Sequence, residues 1–340
     1  MLSNVRVIDA DGHLMDFDDL VRPYLPEPFR RRVMPLYPLE NWDRDLGGTL
    51  GKHWLRDVPT RLTDMDVQGI DLSVLYPTLG LFIGRVREPD LAIALCRAYN
   101  DCVHACCAQS PRLKAVAMVQ LHNIPEAVKE LRRAVTELGL VGVTLPAHGH
   151  GKNLGAAEFH PLYAEAERLG IPVAIHASGG VGGADVEANA FDQFIAVHTV
   201  GHPFPQMFQL TGMIFGGVPE LFPKLRVMYL EAGAGWVPYW MDRMDREYKL
   251  RAVEAPLCKT KPSEYVRNGR LFFSCEADES LLPAVAAAVG EDVLLYASDY
   301  PHWDMDYPDS AKELWERNDL SERLKRKILG ENARRVYGLG

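Results

Sequence analysis

Residues 5–13 read VRVIDADGH, a β-branched apolar run that ends in alternating polar side chains. Side chains two residues apart on a strand point to the same face, so Asp11 and His13 would project together. Seven further apolar runs follow, each succeeded by a helical pattern. The eight predicted strands are Val5–Asp11, Leu72–Tyr76, Lys114–Leu121, Gly142–Pro146, Pro172–His176, Arg226–Glu231, Leu271–Glu276 and Val293–Asp299. Near-continuous apolar runs are typical of parallel strands covered on both faces, and eight such strand–helix units predict a (β/α)8 TIM barrel.

Helix signals fill the intervals between these strands. Three of the predicted helices stop at a glycine, the usual residue for a helix end. The predicted helices are Ala92–Ala108, Pro125–Leu138, Phe159–Leu169, Pro203–Ile214 and Leu320–Tyr337. A doubly wound nucleotide-binding sheet would need GxGxxG after the first strand, and Asp11-Gly12-His13-Leu14 does not match that pattern.

Two segments exceed ordinary loop lengths: Met15–Thr60 after strand one and Ser178–Lys224 after strand five. Long loops after barrel strands usually build the mouth of an active site. Both are rich in aromatic residues, which could line a partly apolar substrate pocket. No repeat, low-complexity stretch or linker interrupts the chain, so residues 1–340 are predicted to form one domain.

The composition excludes several kinds of partner. The net charge is −9 and there is no basic run, which argues against nucleic acid. No stretch approaches the roughly 20 apolar residues that span a bilayer, and the first strand begins too early to leave room for a signal peptide. The six cysteines form no CxxC pair, as expected for reduced thiols. We expect a cytoplasmic protein that acts on a small molecule.

Residue types that bind metals stand at the carboxyl ends of several predicted strands. Strand one ends in Asp11 and His13, strand five in His176, strand six in Glu231 and strand eight in Asp299. Barrel enzymes keep their active sites at this end of the barrel. A single such residue is usually structural, but five that converge from four strands favour a divalent-metal site.

Four motifs occur along the chain in the order VIDADGH, PVAIHAS, FPKLRVMYLEAGAGWVPYWMDRM and LLYASDYPHWD, and KILGENARRVYGL (Lys327–Leu339) closes it. Together they resemble the amidohydrolase-related branch of the metal-dependent amidohydrolase superfamily, over residues 5–339. That branch includes aminocarboxymuconate semialdehyde decarboxylase and γ-resorcylate decarboxylase. The resemblance implies a distorted (β/α)8 barrel with a divalent metal, and a homodimer formed through barrel helices.

The resemblance also assigns metal ligands. The family's His-x-His on strand one is Asp11-Gly12-His13 here, its strand-five histidine is His176 and its strand-eight aspartate is Asp299. The strand-six histidine is replaced by Glu231, and the bridging lysine of strand four is absent. Carboxylates are hard ligands that can bridge ions, which favours iron or manganese. We therefore expect two metal ions bridged by Glu231. The favoured pairs are two iron ions or one manganese and one iron ion, and zinc or manganese are the alternatives.

Three histidines could complete this site. His198 and His202 lie four residues apart, one helical turn, so one of them could bind a second ion together with His176. His302 follows Asp299 closely and is a candidate proton donor or outer ligand. For each of the three, a helix cap, a core position or a surface loop is the alternative. The candidate catalytic residues are Asp299, His302 and Glu231.

Three enzyme classes fit such a site. The leading hypothesis is an O2-dependent non-haem dinuclear monooxygenase that hydroxylates a small, partly apolar substrate, because carboxylate ligands stabilise higher oxidation states and the resemblance includes such oxygenases. The first alternative is a metal-dependent hydrolase of C–N, C–O or C–C bonds, with Asp299 as the base. The second is a non-oxidative decarboxylase of a hydroxy or aromatic acid. A scaffold without chemistry is disfavoured by the intact ligand set.

Overall fold

The computed structural model describes residues 5–37, 57–149, 151–177 and 191–340. Within these ranges, parallel strand segments follow one another in sequence order. They are β1 (Ile8–Leu14), β2 (Leu72–Pro77), β3 (Leu113–Ala115), β4 (Ala117–Met118), β5 (Val143–Pro146), β6 (Val173–His176), β7 (Val227–Leu230), β8 (Leu271–Cys275) and β9 (Leu294–Tyr296). Their residues are buried almost without exception, as expected for strands that are covered on both faces.

Segments β3 and β4 are two parts of one strand position that changes partner at Val116. The Val116 amide donates to the carbonyl of Leu75 in β2 at 3.1 Å. The next amide, that of Ala117, donates to the carbonyl of Gly142, the residue before β5, at 2.8 Å. The nine segments therefore occupy eight strand positions, the number predicted from the apolar runs.

Backbone hydrogen bonds also connect the segment after the last strand, β9, to the first strand, β1. The Asp299 amide, just beyond β9, donates to the carbonyl of Asp11 in β1 at 3.0 Å. The His13 amide donates to the carbonyl of Tyr300 at 2.8 Å. The last strand thus lies beside the first, and the predicted (β/α)8 barrel is confirmed. The same bonds bring two of the predicted metal-binding segments together.

Helices follow the strands along the described chain. They are α1 (Asp18–Val21), α2 (Val58–Gln68), α3 (Pro89–Cys107), α4 (Ile124–Thr136), α5 (His160–Leu169), α6 (Phe194–Gly201), α7 (Pro203–Phe215), α8 (Val218–Leu221), α9 (Val237–Arg251), α10 (Pro262–Arg267), α11 (Leu282–Val289), α12 (Ser310–Glu316), α13 (Glu322–Arg326) and α14 (Asn332–Tyr337). Short 3-10 helices span Arg22–Tyr24, Phe29–Arg31, Leu79–Arg85, Ala157–Phe159 and Ala252–Glu254. Proline in the first turn begins many of these helices, because its missing amide costs nothing there.

Two predicted elements differ from the structure in a way that has a physical cause. Strand β1 extends to Leu14, so Asp11 and His13 lie inside it; His13 pairs with Tyr76 of β2, whereas Asp11 lies where the register shifts. The predicted final helix is divided by a π-helical turn over Lys327–Glu331. This turn contains Gly330, whose lack of a side chain lets the helix approach the carbonyl of Arg6 closely.

The two long loops are only partly described, since residues 38–56 and 178–190 lie outside the described ranges. The remainder of the second loop forms helices α6, α7 and α8, and residues of α6 and of the start of α7 line the cavity at the mouth of the barrel. All six cysteines are free thiols. Among the helices described, none is long and apolar enough to cross a membrane.

Candidate metal centre

Strand β1 supplies two side chains of the centre, Asp11 and His13. The pairing of β1 with β2 shifts register between Asp9 and Gly12, so the strand is irregular where these side chains leave it. A side chain at position 12 would collide with the hydroxyl of Ser73 and approach the Asp9 carboxylate to 2.5 Å, so glycine is required between the two polar residues. Asp11 and His13 are both almost completely buried.

Both histidines from β1 and β6 are held by backbone carbonyls. His13 donates from Nδ1 to the carbonyl of Pro77 at 2.9 Å, and His176 donates from Nδ1 to the carbonyl of Ala177 at 2.6 Å. Because a carbonyl can only accept, each Nδ1 carries the hydrogen and each Nε2 of a neutral ring presents a lone pair to the centre. Such a second hydrogen bond is the usual way of fixing a metal-binding imidazole.

Two carboxylates reach the centre from a strained backbone. Glu231 follows β7 directly with φ of 57°, and Asp299 lies three residues after β9 with φ of 52°. This left-handed region is unfavourable for residues with a Cβ, and strain of this kind is concentrated at functional sites. Backbone hydrogen bonds hold both residues: the Glu231 amide donates to Ser274 Oγ at 2.9 Å, and the Asp299 amide to the Asp11 carbonyl.

The distances between the facing atoms fit a shared cation. His176 Nε2 lies 3.0 Å from Asp11 Oδ1, and His13 Nε2 lies 3.2 Å from Asp299 Oδ1 and 3.7 Å from Asp11 Oδ1. Ligand atoms about 2.1 Å from one ion are roughly 3.0–3.4 Å apart. Asp11 Oδ2, His13 Nε2, Glu231 Oε2 and Asp299 Oδ1 are buried without a hydrogen-bond partner. Buried polar atoms without partners are costly, and divalent cations bound by these residues would satisfy them.

The centre attracts positive charge strongly. Burial alone would lower the pKa of His176, but the carboxylates of Asp11 and Glu231 raise it well above its ordinary value. For Glu231 the effect of burial is outweighed by His202 and His176, which hold its pKa well below the ordinary range. A group of carboxylates with these properties binds a cation in preference to remaining buried and uncompensated.

The three further histidines predicted for the site have different positions. His302 lies in the centre: its Nδ1 is 2.7 Å from Asp299 Oδ1, and its ring lies 3.9 Å from the His13 ring. His202 stands at the edge, with Nε2 3.6 Å from Glu231 Oε1. His198 lies outside the centre, with its Nε2 3.3 Å from Asp304 Oδ2.

The candidate ligands thus form two overlapping groups within the described residues. Asp11, His13 and His176 make up one group, and His13, Glu231, Asp299 and His302 make up the other. All of these residues were predicted from the sequence. Two predicted ligands, His198 and His202, belong to neither group.

Several residues that support the centre were not predicted. Gln206 on α7 is fully buried and donates from Nε2 to the carbonyls of Ile175 and Leu230, the residues before His176 and Glu231. Arg61 on α2 is buried and donates to the carbonyl of His13. Both act on the backbone across large sequence separations, so no local pattern could have identified them.

A cavity of about 520 Å³ opens above the centre. Its walls include Glu231, Asp299 and four further acidic residues; these are Glu276, Glu279, Asp304 and Asp306. Burial, with the neighbouring Glu279 and Asp278, raises the pKa of Glu276 to about 7. In the described part of the wall there is no lysine or arginine, and only His198 and His202 are basic.

Comparison with known proteins identifies relatives of this chain. The model of the amidohydrolase family (Amidohydro_2) matches residues 8–339. The 2-amino-3-carboxymuconate-6-semialdehyde decarboxylase of Dictyostelium discoideum is 28% identical, over 83% of this chain and 77% of that protein. The γ-resorcylate decarboxylase of Rhizobium radiobacter is 25% identical, over 85% of this chain and 89% of that protein.

Solved structures share the fold. The 5-carboxyvanillate decarboxylase of Sphingomonas paucimobilis superposes with a TM-score of 0.79 at 21% identity, covering 99% of this chain and 100% of that chain. The 5-carboxyvanillate decarboxylase of Novosphingobium aromaticivorans, solved in complex with manganese and 4-hydroxy-3-methoxy-5-nitrobenzoic acid, superposes with a TM-score of 0.76 at 20% identity, covering 99% and 97%.

These comparisons correct one prediction. The leading hypothesis of an O2-dependent monooxygenase is wrong, because the relatives named above are decarboxylases and nothing among them indicates oxygen chemistry. The hypothesis relied on the carboxylates Asp11 and Glu231 as a sign of high-valent iron. Ligand hardness selects a class of cation, but it does not select the reaction that the cation supports. The decarboxylase alternative is the better supported one. A divalent metal is also supported by the cluster of candidate ligands.

Proposed function

Because this chain belongs to the amidohydrolase family, we propose that it is a divalent-metal-dependent decarboxylase of a small aromatic or conjugated carboxylic acid. The relatives that act on γ-resorcylate and on 2-amino-3-carboxymuconate-6-semialdehyde support this substrate class.

The observation that carries the proposal is the contrast between the centre and its walls. A carboxylate substrate needs a positive charge to bind in a partly buried site. The described wall of the cavity offers no lysine or arginine, and it carries several acidic side chains. The cluster below it has buried acceptor atoms that a divalent cation would satisfy. A cation held there would therefore provide the charge that the substrate carboxylate requires.

We assign Asp11, His13, His176 and Asp299 as the ligands of this ion. Two imidazoles and two carboxylates suit manganese or zinc, and the manganese-bound 5-carboxyvanillate decarboxylase favours manganese. Glu231 and His302 lie within reach of a neighbouring position. The second ion, the presence of iron and the homodimer remain predictions. Metal analysis of the purified protein distinguishes one equivalent of metal from two.

When bound, the ion would act as a Lewis acid that holds and polarises the substrate. The protein's own side chains would manage the proton. His302 Nδ1 lies 2.7 Å from Asp299 Oδ1, and the Asp299 side chain, 21% exposed, faces the cavity. The pair could deliver one proton to the substrate carbon as its bond to the carboxylate breaks and CO2 leaves. Phe194 and Trp303, whose rings are 5.9 Å apart, stand near the mouth, where they would limit the access of water.

The experiment uses metal-stripped protein reconstituted with Mn²⁺ and a panel of acids that includes 2,6-dihydroxybenzoate, 5-carboxyvanillate and 2-hydroxybenzoate. We expect one class of acid to lose its ultraviolet absorbance with release of an equal amount of CO2, under argon as well as under air. Asp299→Asn should lower kcat by about 10²-fold or more, the usual effect of removing a group that transfers protons. Asp306→Asn changes another acidic residue of the wall and should retain activity.

Turnover that requires oxygen, or a product that keeps the carboxylate, would contradict the proposal. So would equal rates in the metal-stripped and reconstituted protein. Full activity of Asp299→Asn would not contradict the reaction class, but it would contradict the proton-transfer role assigned to Asp299.

A further inference from the structure

The ring of His302 has a partner on each nitrogen. Nδ1 is 2.7 Å from Asp299 Oδ1, and Nε2 is 3.1 Å from the hydroxyl of Thr78. The Thr78 hydroxyl can donate to Nε2 when the neutral ring carries its hydrogen on Nδ1, beside the Asp299 carboxylate. Thr78 therefore holds the ring in the orientation that places Nδ1 towards Asp299.

The Thr78 hydroxyl also has a second possible hydrogen-bond partner, the sulfur of Met15. Its Oγ1 lies 3.5 Å from Met15 Sδ, a weak acceptor. If His302 is protonated on both nitrogens, Thr78 can accept from Nε2 and turn its own hydrogen towards the sulfur. The same residue thus supports the orientation with Nδ1 towards Asp299 in both protonation states. A valine at this position, which has nearly the same shape, could do neither.

Thr78 is itself held by a carboxylate outside the centre. Asp16 is completely buried and accepts from the backbone amides of Thr78, Leu79 and Gly80 at 2.8, 2.7 and 2.8 Å. These are the first amides of the 3-10 helix Leu79–Arg85, which would otherwise be unsatisfied. A carboxylate that accepts three amides fixes the backbone more firmly than one hydrogen bond could. Asp16 therefore sets the position from which the Thr78 hydroxyl reaches His302.

From this chain of contacts we infer that Thr78, anchored by Asp16, is a positioning residue that orients His302 and through it the carboxylate of Asp299. The inference deepens the proposed function and rests on it, since Asp299 is the assigned ligand and proton-transfer group. Neither Thr78 nor Asp16 belongs to the candidate ligand set, and each acts through a neighbour.

The first test compares two variants of the metal-stripped full-length protein. Thr78→Val removes the hydroxyl, and Thr78→Ser keeps it. Protein labelled with ¹⁵N-histidine is examined by long-range ¹H–¹⁵N NMR, with His302→Gln used to assign the His302 signals. We expect the same His302 signals in the wild type and in Thr78→Ser, and shifted or broadened signals in Thr78→Val, where the ring has lost its partner at Nε2. Identical His302 signals in wild type and Thr78→Val would overturn the inference.

The second test measures the affinity for Mn²⁺ by titration followed by electron paramagnetic resonance. Removing a group that orients a metal ligand typically weakens metal binding by about 10-fold to 100-fold. Thr78→Val should fall at the lower end of that range, while Thr78→Ser should remain close to the wild type. In a His302→Gln background, Thr78→Val should add nothing, because the effect is transmitted through that ring.

The two tests separate the inference from the proposed function. If the wild type binds no divalent metal, the proposed function fails, and the NMR comparison still decides the role of Thr78. If Thr78→Val lowers stability but leaves both the His302 signals and the Mn²⁺ affinity unchanged, the residue is merely structural and the inference is wrong. Asp16→Asn provides a second route, with the same expected changes in the His302 signals, should Thr78→Val fail to fold.

Discussion

The substitution Asp11→Asn tests the assignment of the metal ligands most directly. Asp11 is 1% exposed, and its Oδ1 lies 3.0 Å from His176 Nε2, the separation expected for two ligands of one ion. Asparagine has the same shape and keeps the carbonyl oxygen, but it lacks the negative charge. Removing groups that only orient a ligand costs about 10-fold to 100-fold in affinity, so loss of the charged ligand itself should cost at least about 100-fold.

This loss converts into a measurable change in thermal stability. At a free Mn²⁺ concentration of about 100 times the wild-type Kd, binding stabilises the folded wild type by about 2.7 kcal/mol. A 100-fold weaker variant is half saturated there and gains only about 0.4 kcal/mol. For a chain of this size about 2 °C corresponds to 1 kcal/mol, so Mn²⁺ should raise the Tm of the wild type by about 5 °C and that of Asp11→Asn by about 1 °C.

The assay is differential scanning calorimetry with and without Mn²⁺. The control is Asp306→Asn, which also removes an acidic side chain of the cavity wall but lies outside the candidate ligand groups. This control should respond to Mn²⁺ as the wild type does. An equal Tm increase in Asp11→Asn and in the wild type would refute the ligand assignment, and a loss of response in both variants would show that general negative charge, rather than coordination, attracts the ion.

Three further predictions concern the support of the centre. Gln206→Ala should lower the free energy of unfolding by about 2 kcal/mol, measured by urea denaturation, because it removes two buried hydrogen bonds to the carbonyls before His176 and Glu231, whereas an unchanged midpoint would contradict this role. Gly12→Ala should destabilise the protein by about 1–3 kcal/mol and weaken Mn²⁺ binding, since the added methyl collides with Ser73; a wild-type Tm would show that β1 yields easily. Burial raises the pKa of Asp16 to about 6, so its stabilising contribution is complete below its unfolded value near 3.8 and is lost as the pH rises to about 6. Relative to Asp16→Asn, the wild type should therefore lose up to about 3 kcal/mol across this interval, and a constant difference would contradict the shift.

The barrel was predictable because its signals are local. Each strand is an uninterrupted apolar run, and the glycines that follow helices stand next to the elements that they end, as at Gly170 and Gly338. Periodicity of this kind is set by the geometry of one strand or helix and does not depend on distant residues. The carboxyl-end positions of Asp11, His176 and Asp299 followed from the same local patterns once a parallel barrel was assumed.

The members of the centre were less predictable where a helix or loop had to be placed. His198 and His202 are one turn apart and looked equivalent, yet only His202 reaches Glu231, because α6 ends at Gly201 and α7 begins at Pro203. The supporting contacts of Gln206 and Thr78 connect residues that are far apart in sequence. No local pattern could have predicted them.

By itself, the sequence therefore determined the order of the eight strand positions and the shared face on which Asp11 and His13 project. It also determined that carboxylate and imidazole ligands, which suit a divalent cation, stand at the ends of these strands. Only the tertiary structure decided which histidines enter that cluster, how Glu231 and Asp299 are turned into it by left-handed backbone, and how Asp16 and Thr78 hold His302. The physical reason is that strand formation depends on neighbours along the chain, whereas the convergence of side chains depends on the packing of elements that are distant in sequence.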